Sequence, residues 1–251
     1  MTGRVELTLA KAMEKNHSRP HRVSALLSCV LEAIDSKKVT QKLIQSLATG
    51  IRDQLVIKIV AFRLGRPQWF SARCKSCDAP FDFEVDFVKW PYKPPGKGFP
   101  VVEVKLGKKK IKFESPNGLF EEQIAQKRLK GKAAVRGLIN LCSLEKGLRA
   151  KVLSAKDFDR VDKALEKISP ECGSEIFTHC PECRAPANLT IDPLLLAYKP
   201  SAAIFKEVHL IASHYHWSEK VILDLSEARR SRYITLISPA GDSSSRIGRV
   251  A

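Results

Sequence analysis

Long apolar runs are missing from this sequence of 251 residues. No segment approaches the roughly 20 consecutive apolar residues that a membrane-spanning helix requires. The first residues, MTGRVELTLAKAMEK, also lack the apolar core of a secretory signal peptide. The composition, with 44% hydrophobic and 28% charged residues, is that of a globular protein that buries a core. We therefore expect a soluble cytoplasmic protein without a membrane span.

Motifs of the common catalytic families are also missing. The chain has no Walker phosphate-binding loop, no G-x-S-x-G nucleophile turn, no H-E-x-x-H zinc motif and no dinucleotide-binding glycine pattern. Three histidines, His209, His214 and His216, lie close together, but His214 and His216 would point to different faces of a helix. We expect these histidines to serve packing or partner contacts rather than metal binding, and we expect no catalysis.

Acidic residues are few relative to basic ones. The chain has 27 aspartates and glutamates against 43 lysines and arginines, a net charge of +16. Such an excess attracts nucleic acid, an anionic membrane surface or an acidic protein. The basic residues are spread over Lys108–Lys110, Gln126–Arg136 and Glu227–Arg232, without interleaved aromatic residues that would stack on bases. A functional basic patch and an ordinary solvated basic surface both remain open.

Two short cysteine motifs carry the strongest chemical signal. The stretch RCKSCDAPFDFEVDF contains Cys74 and Cys77, and HCPECRAPANLTI contains Cys180 and Cys183. Strand-like runs flank each Cys-x-x-Cys, and we call each motif with its two flanking strands a hook. One hook is half of a zinc ribbon, so the pair predicts a structural Zn²⁺ held by four thiolates. The 102 residues between Cys77 and Cys180 do not prevent this, because loop-closure entropy grows only logarithmically with length.

Other interpretations of the hooks remain. Two unrelated turns or two redox dithiols would also contain Cys-x-x-Cys twice, although a thioredoxin-type dithiol is expected in a βαβ setting. The position after the second cysteine of a zinc knuckle usually holds a glycine with positive φ, whereas this chain has Asp78 and Arg184 there. Catalysis by the zinc is not expected, because four thiolates leave no open position. We expect Cys29, Cys142 and Cys172 to be inert. If one hook cysteine does not bind the metal, the expected replacement ligands are Cys172 and His179.

The order of predicted elements places the chain in the α+β class. Helical periodicity is predicted in three stretches before residue 66, in three more between Ser115 and Pro170, and again over 201–237. Strands are predicted at Arg4–Ala10, on both sides of each Cys-x-x-Cys turn, and in a hairpin over Val101–Glu114. The result is a split zinc-ribbon-like β unit with a helical insertion, flanked by N-terminal helices and a C-terminal helical module. The predicted segments are 1–66 (mainly helical), 67–114 (first ribbon half plus hairpin), 115–171 (helical insertion), 172–198 (second ribbon half), 199–238 (helical docking module) and 239–251 (disordered tail).

Five ordered segments resemble a known family. SLATGIRDQLVIKIVAFRLG, FSARCKSCDAPFDFEVDF, VVEVKLGKKKIKFESPNGLFEEQIAQ, LSAKDFDRVDKALEKISP and SEIFTHCPECRAPANLTIDP are similar to the T-even-type phage baseplate protein family. Relatives of that family occur in contractile phages and phage-tail-like contractile injection systems, and the paired hooks flanking a helical insert are the most specific element. The resemblance implies a baseplate hub component or its assembly factor, with hub, spike or tube proteins as partners. It implies a location in the bacterial cytoplasm during assembly, and in the particle if the protein is retained.

The last helical stretch resembles a second phage module. FKEVHLIASHYHWSEKVILDLSEARRSRYITLI is similar to a module of tail and baseplate assembly proteins in which an aromatic His-Trp-Ser turn joins two helices. Tyr215 and Trp217 lie at this turn, and Ala197–Ala203 before it is predicted to be a short linker. The resemblance favours a separable docking element, although both aromatics could instead pack on the chain's own body. The arginines expected to contact an acidic surface of the partner are Arg229, Arg230 and Arg232.

The leading hypothesis is therefore a non-enzymatic structural or chaperone-like protein of a contractile-tail baseplate. The competing class is a nucleic-acid-binding zinc-ribbon protein, which the charge of +16 and the four thiolates favour. Steeply salt-dependent binding to nucleic acid would support that class. A redox enzyme, the third class, would show reversible dithiol oxidation instead of tight metal binding.

Overall fold

A computed structural model describes residues 1–15, 18–145 and 153–237, together with the backbone of residues 248–249. The helices are α1 (Gly3–Lys15), α2 (Arg19–Val30), α3 (Gln41–Ser46), α4 (Thr49–Leu64), α5 (Gly118–Gln126), α6 (Gly131–Cys142), α7 (Ala155–Ile168), α8 (Ser201–Tyr215), α9 (Glu219–Asp224) and α10 (Glu227–Ile237). The strands are β1 (Ala33–Ile34), β2 (Lys37–Lys38), β3 (Gln68–Arg73), β4 (Pro80–Val85), β5 (Tyr92–Lys93), β6 (Val101–Leu106), β7 (Lys109–Glu114), β8 (Glu171–Cys172), β9 (Glu175–His179), β10 (Pro186–Thr190) and β11 (Gly248–Arg249).

The sheets are small and mostly antiparallel. The described pairs are β1 with β2, β3 with β4, β5 with β8, β6 with β7 and β9 with β10, and β11 joins β3 in parallel. Helices and antiparallel strands occupy separate stretches of the chain, so the prediction of an α+β fold is confirmed. None of the described helices combines the length and apolar character needed to cross a membrane.

The chain divides into two compact units. Unit 1 comprises Met1–Lys15, Ile57–Trp90 and Ser174–Ala251, and unit 2 comprises Asn16–Val56 and Pro91–Gly173. Both hooks belong to unit 1. The hairpin β6–β7 belongs to unit 2 with helices α5 to α7, although the sequence analysis grouped it with the first hook.

Helix α1 occupies the segment that the sequence analysis assigned to a strand. The prediction for Arg4–Ala10 is wrong, since these residues are helical within α1. Apolar and polar residues alternate there as in a strand, but the buried side chains include Glu6, Leu9 and Met13, at helical spacing. This face of α1 packs against α8 and α9, so tertiary packing decides the conformation of the segment.

The C-terminal helices share a core with α1. The buried members of this core are Ala10, Ile204, Val208, Ile211, Ile222 and Leu223. The stretch Ala197–Ala203, predicted to be a linker, is packed: Ala197 is fully buried and Tyr198 contacts the core. Lys199 forms ion pairs with Glu207 and Glu227, the latter at 3.0 Å. These contacts correct the interpretation of Ala197–Ala203 as a free linker.

The core of unit 2 is built on the hairpin β6–β7. Its register runs from Val101 opposite Glu114 to Leu106 opposite Lys109, and the turn lies at Gly107 as predicted. Alternate residues point inward, where α6 and α7 cover them. The buried members of this core are Val104, Leu106, Ile111, Phe113, Ile139, Cys142, Val161 and Leu165. Burial of each large apolar side chain contributes about 1.5–3 kcal/mol.

The end of the chain is only partly described. Most of the predicted tail, 239–251, lies outside the described residues. Gly248 and Arg249 are described as a two-residue strand, which pairs with Phe70 and Ser71 of β3.

Candidate metal centre

Two antiparallel hairpins present the hook cysteines. In the first, β3 and β4 pair from Gln68 opposite Val85 to Arg73 opposite Pro80. In the second, β9 and β10 pair from Glu175 opposite Thr190 to His179 opposite Pro186. The inward side chains of the first hairpin are Phe70, Ala72, Phe81, Phe83 and Val85. This apolar face anchors the strands, so each Cys-x-x-Cys turn projects from a fixed end of its hairpin.

The two turns have the same backbone hydrogen bonds. In the first hook, the N–H of Cys74 donates to the oxygen of Ala79, and the N–H of Asp78 donates to the oxygen of Cys74, both at 2.9 Å. The equivalent bonds of the second hook, also at 2.9 Å, run from Cys180 to Ala185 and from Arg184 to Cys180. The doubled sequence motif therefore folds into a doubled structure.

The position after each second cysteine adopts a left-handed conformation. Asp78 has φ of 58° and Arg184 has φ of 59°. Glycine adopts such values without strain, whereas most other residues pay about 1–2 kcal/mol. Arg73 supports the first turn, since its Nη1 donates to the backbone oxygen of Asp78 at 3.0 Å. The missing glycines therefore do not prevent either turn from forming.

The four sulfur atoms are arranged as a metal site requires. The Sγ atoms of Cys74 and Cys183 are 3.6 Å apart, and those of Cys77 and Cys180 are 3.8 Å apart. All four ligand atoms lie within 4.8 Å of one another. A tetrahedron with Zn–S bonds of about 2.3 Å has sulfur–sulfur edges of about 3.8 Å. The separations exceed the roughly 2.05 Å of a disulfide bond and fit a shared cation.

The electrostatics of the cluster also call for a cation. Backbone N–H groups of Cys77 and Ser76 hold the pKa of Cys74 at about 6, and the Ser76 nitrogen lies 3.4 Å from the Cys74 Sγ. At Cys77 the backbone N–H of Ala79 lowers the pKa, but the adjoining thiols, with Cys183 foremost, raise it to about 12. Ionisation of one thiol therefore opposes ionisation of the next. A divalent metal removes that repulsion and binds all four as thiolates.

Burial differs between the inner and outer cysteines. Cys74 and Cys180 are buried, with 5% and 1% of their surfaces exposed, while Cys77 and Cys183 are exposed. Each hook thus contributes one desolvated ligand and one that faces solvent. The inner pair ties the site to the core of unit 1, and the outer pair leaves an approach for the ion.

The other candidate ligands lie outside this cluster. His179 is exposed at the end of β9, and Cys172, in unit 2, donates to the backbone oxygen of Gly50 at 3.6 Å. Burial raises the pKa of Cys172, and likewise of Cys142, to about 12, which agrees with the expectation that both are inert. Within the described part of the chain, the four hook cysteines form the one group with metal-ligand geometry, and His209, His214 and His216 form none.

A buried ion pair in unit 1 was missed by the sequence analysis and corrects the expectation for Arg230. The guanidinium is fully buried; its Nε donates to Glu207 at 3.1 Å, and its Nη2 pairs with Glu6. Arg230 therefore binds carboxylates of its own chain and is not available to a partner. Arg229 and Arg232 are exposed, so their contact with an acidic partner stays a prediction.

The aromatic residues of the C-terminal turn pack on one another. Tyr215 stacks on Trp217 with ring centres 5.2 Å apart, and Tyr233 meets both rings edge-on at 5.4 and 5.0 Å. All three are half-buried against the core that α8 and α9 share with α1. They serve packing within the chain, and each retains an exposed part. Their contact with a partner stays a prediction.

Unit 2 contains a second buried cation that the sequence analysis missed. Arg52 is 1% exposed; its Nη2 donates to the hydroxyl of Ser24 at 2.7 Å and its Nη1 to Glu121 at 3.3 Å. Gly118 allows this approach, because a Cβ there would lie 1.9 Å from the Arg52 Nη1. In sequence, Arg52 sits within an apolar helix next to Asp53, and nothing local distinguishes it from a surface arginine.

The assignment of this centre depends on its own geometry. Three observations indicate a structural metal site. The four sulfur atoms lie close together, the two turns have the same backbone hydrogen bonds, and the inner cysteines are buried. No protein-family model, no curated protein and no solved structure matches this chain.

Proposed function

We propose that this chain is a non-enzymatic structural or chaperone-like assembly protein of the baseplate hub of a contractile phage tail or phage-tail-like injection system. In this proposal, one structural Zn²⁺ joins its two hooks. The observation that carries the metal part of this proposal is the cluster of four cysteine sulfurs, with sulfur–sulfur distances of 3.6 and 3.8 Å across the hooks.

The residues that would hold the zinc are Cys74, Cys77, Cys180 and Cys183. When bound, the ion supplies a cross-link between segments 102 residues apart in sequence. Comparable sites contribute about 10–16 kcal/mol in zinc-finger peptides. Four protein ligands leave no position for water or substrate, so the centre stabilises a scaffold and does not activate a nucleophile.

The baseplate role is supported by the resemblance of the five ordered segments to the T-even-type family. Its most specific element, the pair of hooks flanking a helical insert, corresponds to the residues that form the thiolate cluster. Hub, spike or tube proteins are the proposed partners. Arg229, Arg232 and the exposed parts of Tyr215 and Trp217 are the residues proposed to contact them.

The charge around the hooks does not favour a nucleic-acid-binding ribbon. Residues 68–86 contain two basic and four acidic side chains, and residues 174–191 contain one basic and two acidic side chains. A ribbon that binds phosphates would carry the opposite balance. We therefore keep the assembly function as the proposal for the metal centre.

The test compares cysteine substitutions in the full chain. Cys77→Ser and Cys180→Ser should each abolish zinc binding, although one residue is exposed and the other buried, because either change opens the same site. Cys29→Ser, outside the cluster, is the matched control and should retain one zinc per chain. Metal analysis of purified protein measures this, and electron microscopy of particles from cells carrying each variant measures tail assembly.

The outcomes separate the proposed classes. Loss of zinc together with loss of complete tails, for both hook variants only, supports the proposal. Wild-type protein without zinc and with four freely reactive hook thiols would falsify the metal site. Normal particles from a zinc-free variant would contradict the assembly role, and reversible dithiol oxidation of the native protein would support a redox enzyme instead.

A further inference from the structure

The positive charge of the chain is concentrated in unit 2. That unit holds 25 lysines and arginines against 13 aspartates and glutamates, whereas unit 1 holds 18 against 14. Unit 2 therefore carries +12 of the net charge of +16. This excess of positive charge belongs to a different unit from the candidate metal centre. The proposed zinc site does not explain it.

The hairpin β6–β7 presents the densest part of this charge. Five lysines occur within eight residues at its tip and on its outer face, and all five are exposed. We call them the basic hairpin surface: Lys105, Lys108, Lys109, Lys110 and Lys112. The hairpin is fixed from behind, because its inward side chains belong to the core of unit 2.

The register of the hairpin brings like charges together. Lys105 lies directly opposite Lys110, an arrangement that destabilises an antiparallel pair. Lys110 forms an ion pair with Glu103 at 3.0 Å. Within the described residues, the other four lysines of the basic hairpin surface make no salt bridge. An external anion would relieve this repulsion.

A cation from α7 extends the surface at one side. Arg160 lines a groove of about 570 Å³ together with Lys105 and Gly107, beside the hairpin turn. The Arg160 Nη1 also pairs with Asp157 at 3.4 Å. Glu103 also lines the groove, which extends from the hairpin turn toward α7, the helix that packs on β6.

We propose that the basic hairpin surface binds the phosphate backbone of duplex nucleic acid without sequence preference. Lysines are flexible point charges that suit phosphate oxygens, and such contacts carry no sequence information. Six-residue strands span about 20 Å, enough to follow several phosphates of a duplex that carries one charge per ~1.7 Å.

The composition of the surface favours this partner over the alternatives. An acidic protein partner would be expected to meet an apolar centre, and a membrane surface would be expected to receive inserted apolar side chains. Neither β6 nor β7 has an exposed apolar side chain. Both strands also lack tyrosine and tryptophan, and their one phenylalanine, Phe113, is fully buried, so no platform for stacking single-stranded bases is present.

The experiment compares two variants of equal net charge. The test variant changes Lys105, Lys108, Lys109 and Lys112 to Gln. The control variant changes Lys11, Lys58, Lys206 and Lys220 to Gln, four exposed lysines of unit 1. Fluorescence anisotropy measures binding to a labelled duplex of about 30 mixed-sequence base pairs, from about 50 to about 200 mM salt.

Each lost phosphate contact should reduce the slope of log affinity against log salt by about 0.9, so the test variant should lose about three to four units of slope. Its affinity at low salt should fall at least about tenfold, while the control variant keeps the wild-type slope. Zinc content should be unchanged in both variants, and neither variant should melt at a lower temperature than the wild-type chain, because all eight lysines are exposed. The binding measurement does not involve tail assembly, so its result is independent of the proposed function.

Several results would overturn the inference. If the wild-type chain does not bind the duplex, the inference is wrong. If the two variants lose the same affinity and salt slope, the net charge of the chain accounts for binding and the hairpin has no specific role. Tighter binding to a single strand of the same length would contradict the duplex assignment. Preferential binding of the hairpin lysines to polyglutamate or to vesicles with anionic lipid would assign the surface to an acidic protein or a membrane.

Discussion

At the residue scale, Arg230 is a fully buried charged side chain of unit 1. Its Nη1 donates to the backbone oxygen of Leu225 at 2.9 Å, in addition to its bonds to Glu6 and Glu207. Burial raises the pKa of Glu6, and the hydrogen bond from Arg230 opposes that rise. The guanidinium thus compensates the burial of the α1 carboxylate and, together with Lys199, that of the α8 carboxylate.

Replacing Arg230 should be far more damaging than replacing its neighbour. Arg230→Met leaves Glu6 buried without its cation and should lower the free energy of unfolding by about 3–5 kcal/mol. Arg229→Met removes the same charge from an exposed position of the same helix and should change it by less than about 0.5 kcal/mol. Urea unfolding of both variants at neutral pH measures the difference.

The pH dependence of the Arg230→Met variant provides a second check. Without Arg230, the folded-state pKa of Glu6 should lie further above its unfolded value, so this group contributes stability at low pH and loses it as pH rises through the folded pKa. The deficit relative to wild type should therefore be larger at pH 8 than at pH 5. Equal stabilities of the Arg229 and Arg230 variants, or a deficit that grows on acidification, would contradict the buried pair.

The clustering of the four hook cysteines could be predicted from sequence, whereas the burial of Arg230 could not. Cysteines at Cys-x-x-Cys spacing between strands have few structural uses, so Cys74 and Cys180 could be paired across 105 intervening residues. In the run of Arg229, Arg230 and Arg232, only the rotation of α10 decides which side chain faces the core. That rotation depends on Glu6, which is 224 positions away in sequence.

At the element scale, the C-terminal helices complete a core that begins at the N-terminus. Helices α8 and α9 pack against α1, and α10 packs against α8. Arg63 of α4 adds a bond from its Nη2 to Glu227 at 2.9 Å. Burial would raise the pKa of Glu227, but Arg63 and Lys199 hold it at about 2. The sequence analysis treated 201–237 as a separable module because pattern alone does not reveal which helix covers an apolar face.

Deletion of residues 201–251 should therefore unfold more than the deleted part. Removal of α8 to α10 takes away the core that covers Ala10 and Leu7 of α1 and leaves Glu6 without Arg230. We expect the truncated chain to lose the cooperative thermal transition of unit 1. A truncation after Ile237, which retains all three helices, is the control and should melt close to the full chain. If the protein lacking 201–251 is instead folded and binds zinc, the C-terminal helices form a separable module.

At the scale of the whole molecule, the two units differ in the interactions that stabilise each of them. Unit 1 contains the cluster of four cysteines, whereas the core of unit 2 around β6, β7, α6 and α7 is apolar. Both units contain a buried arginine with carboxylate partners, Arg230 in unit 1 and Arg52 in unit 2. The α+β class could be predicted because element types follow local periodicity. The division into units could not, since it depends on contacts between segments far apart in the chain, such as α1 with α8.

Removal of the proposed zinc from the full chain should affect the two units unequally. After treatment with a strong chelator, amide hydrogen exchange in β3, β4, β9 and β10 should accelerate strongly, because loss of the cation removes the cross-link between the two hooks. Exchange in β6, β7, α6 and α7 should stay slow, because their core contains no metal ligand. Hydrogen-exchange mass spectrometry with and without added Zn²⁺ measures both, and the Cys77→Ser chain should match the chelated protein without any chelator. Uniform acceleration across both units would show that the metal stabilises the molecule as one cooperative body, and unchanged exchange at the hooks would show that the cluster holds no structural ion.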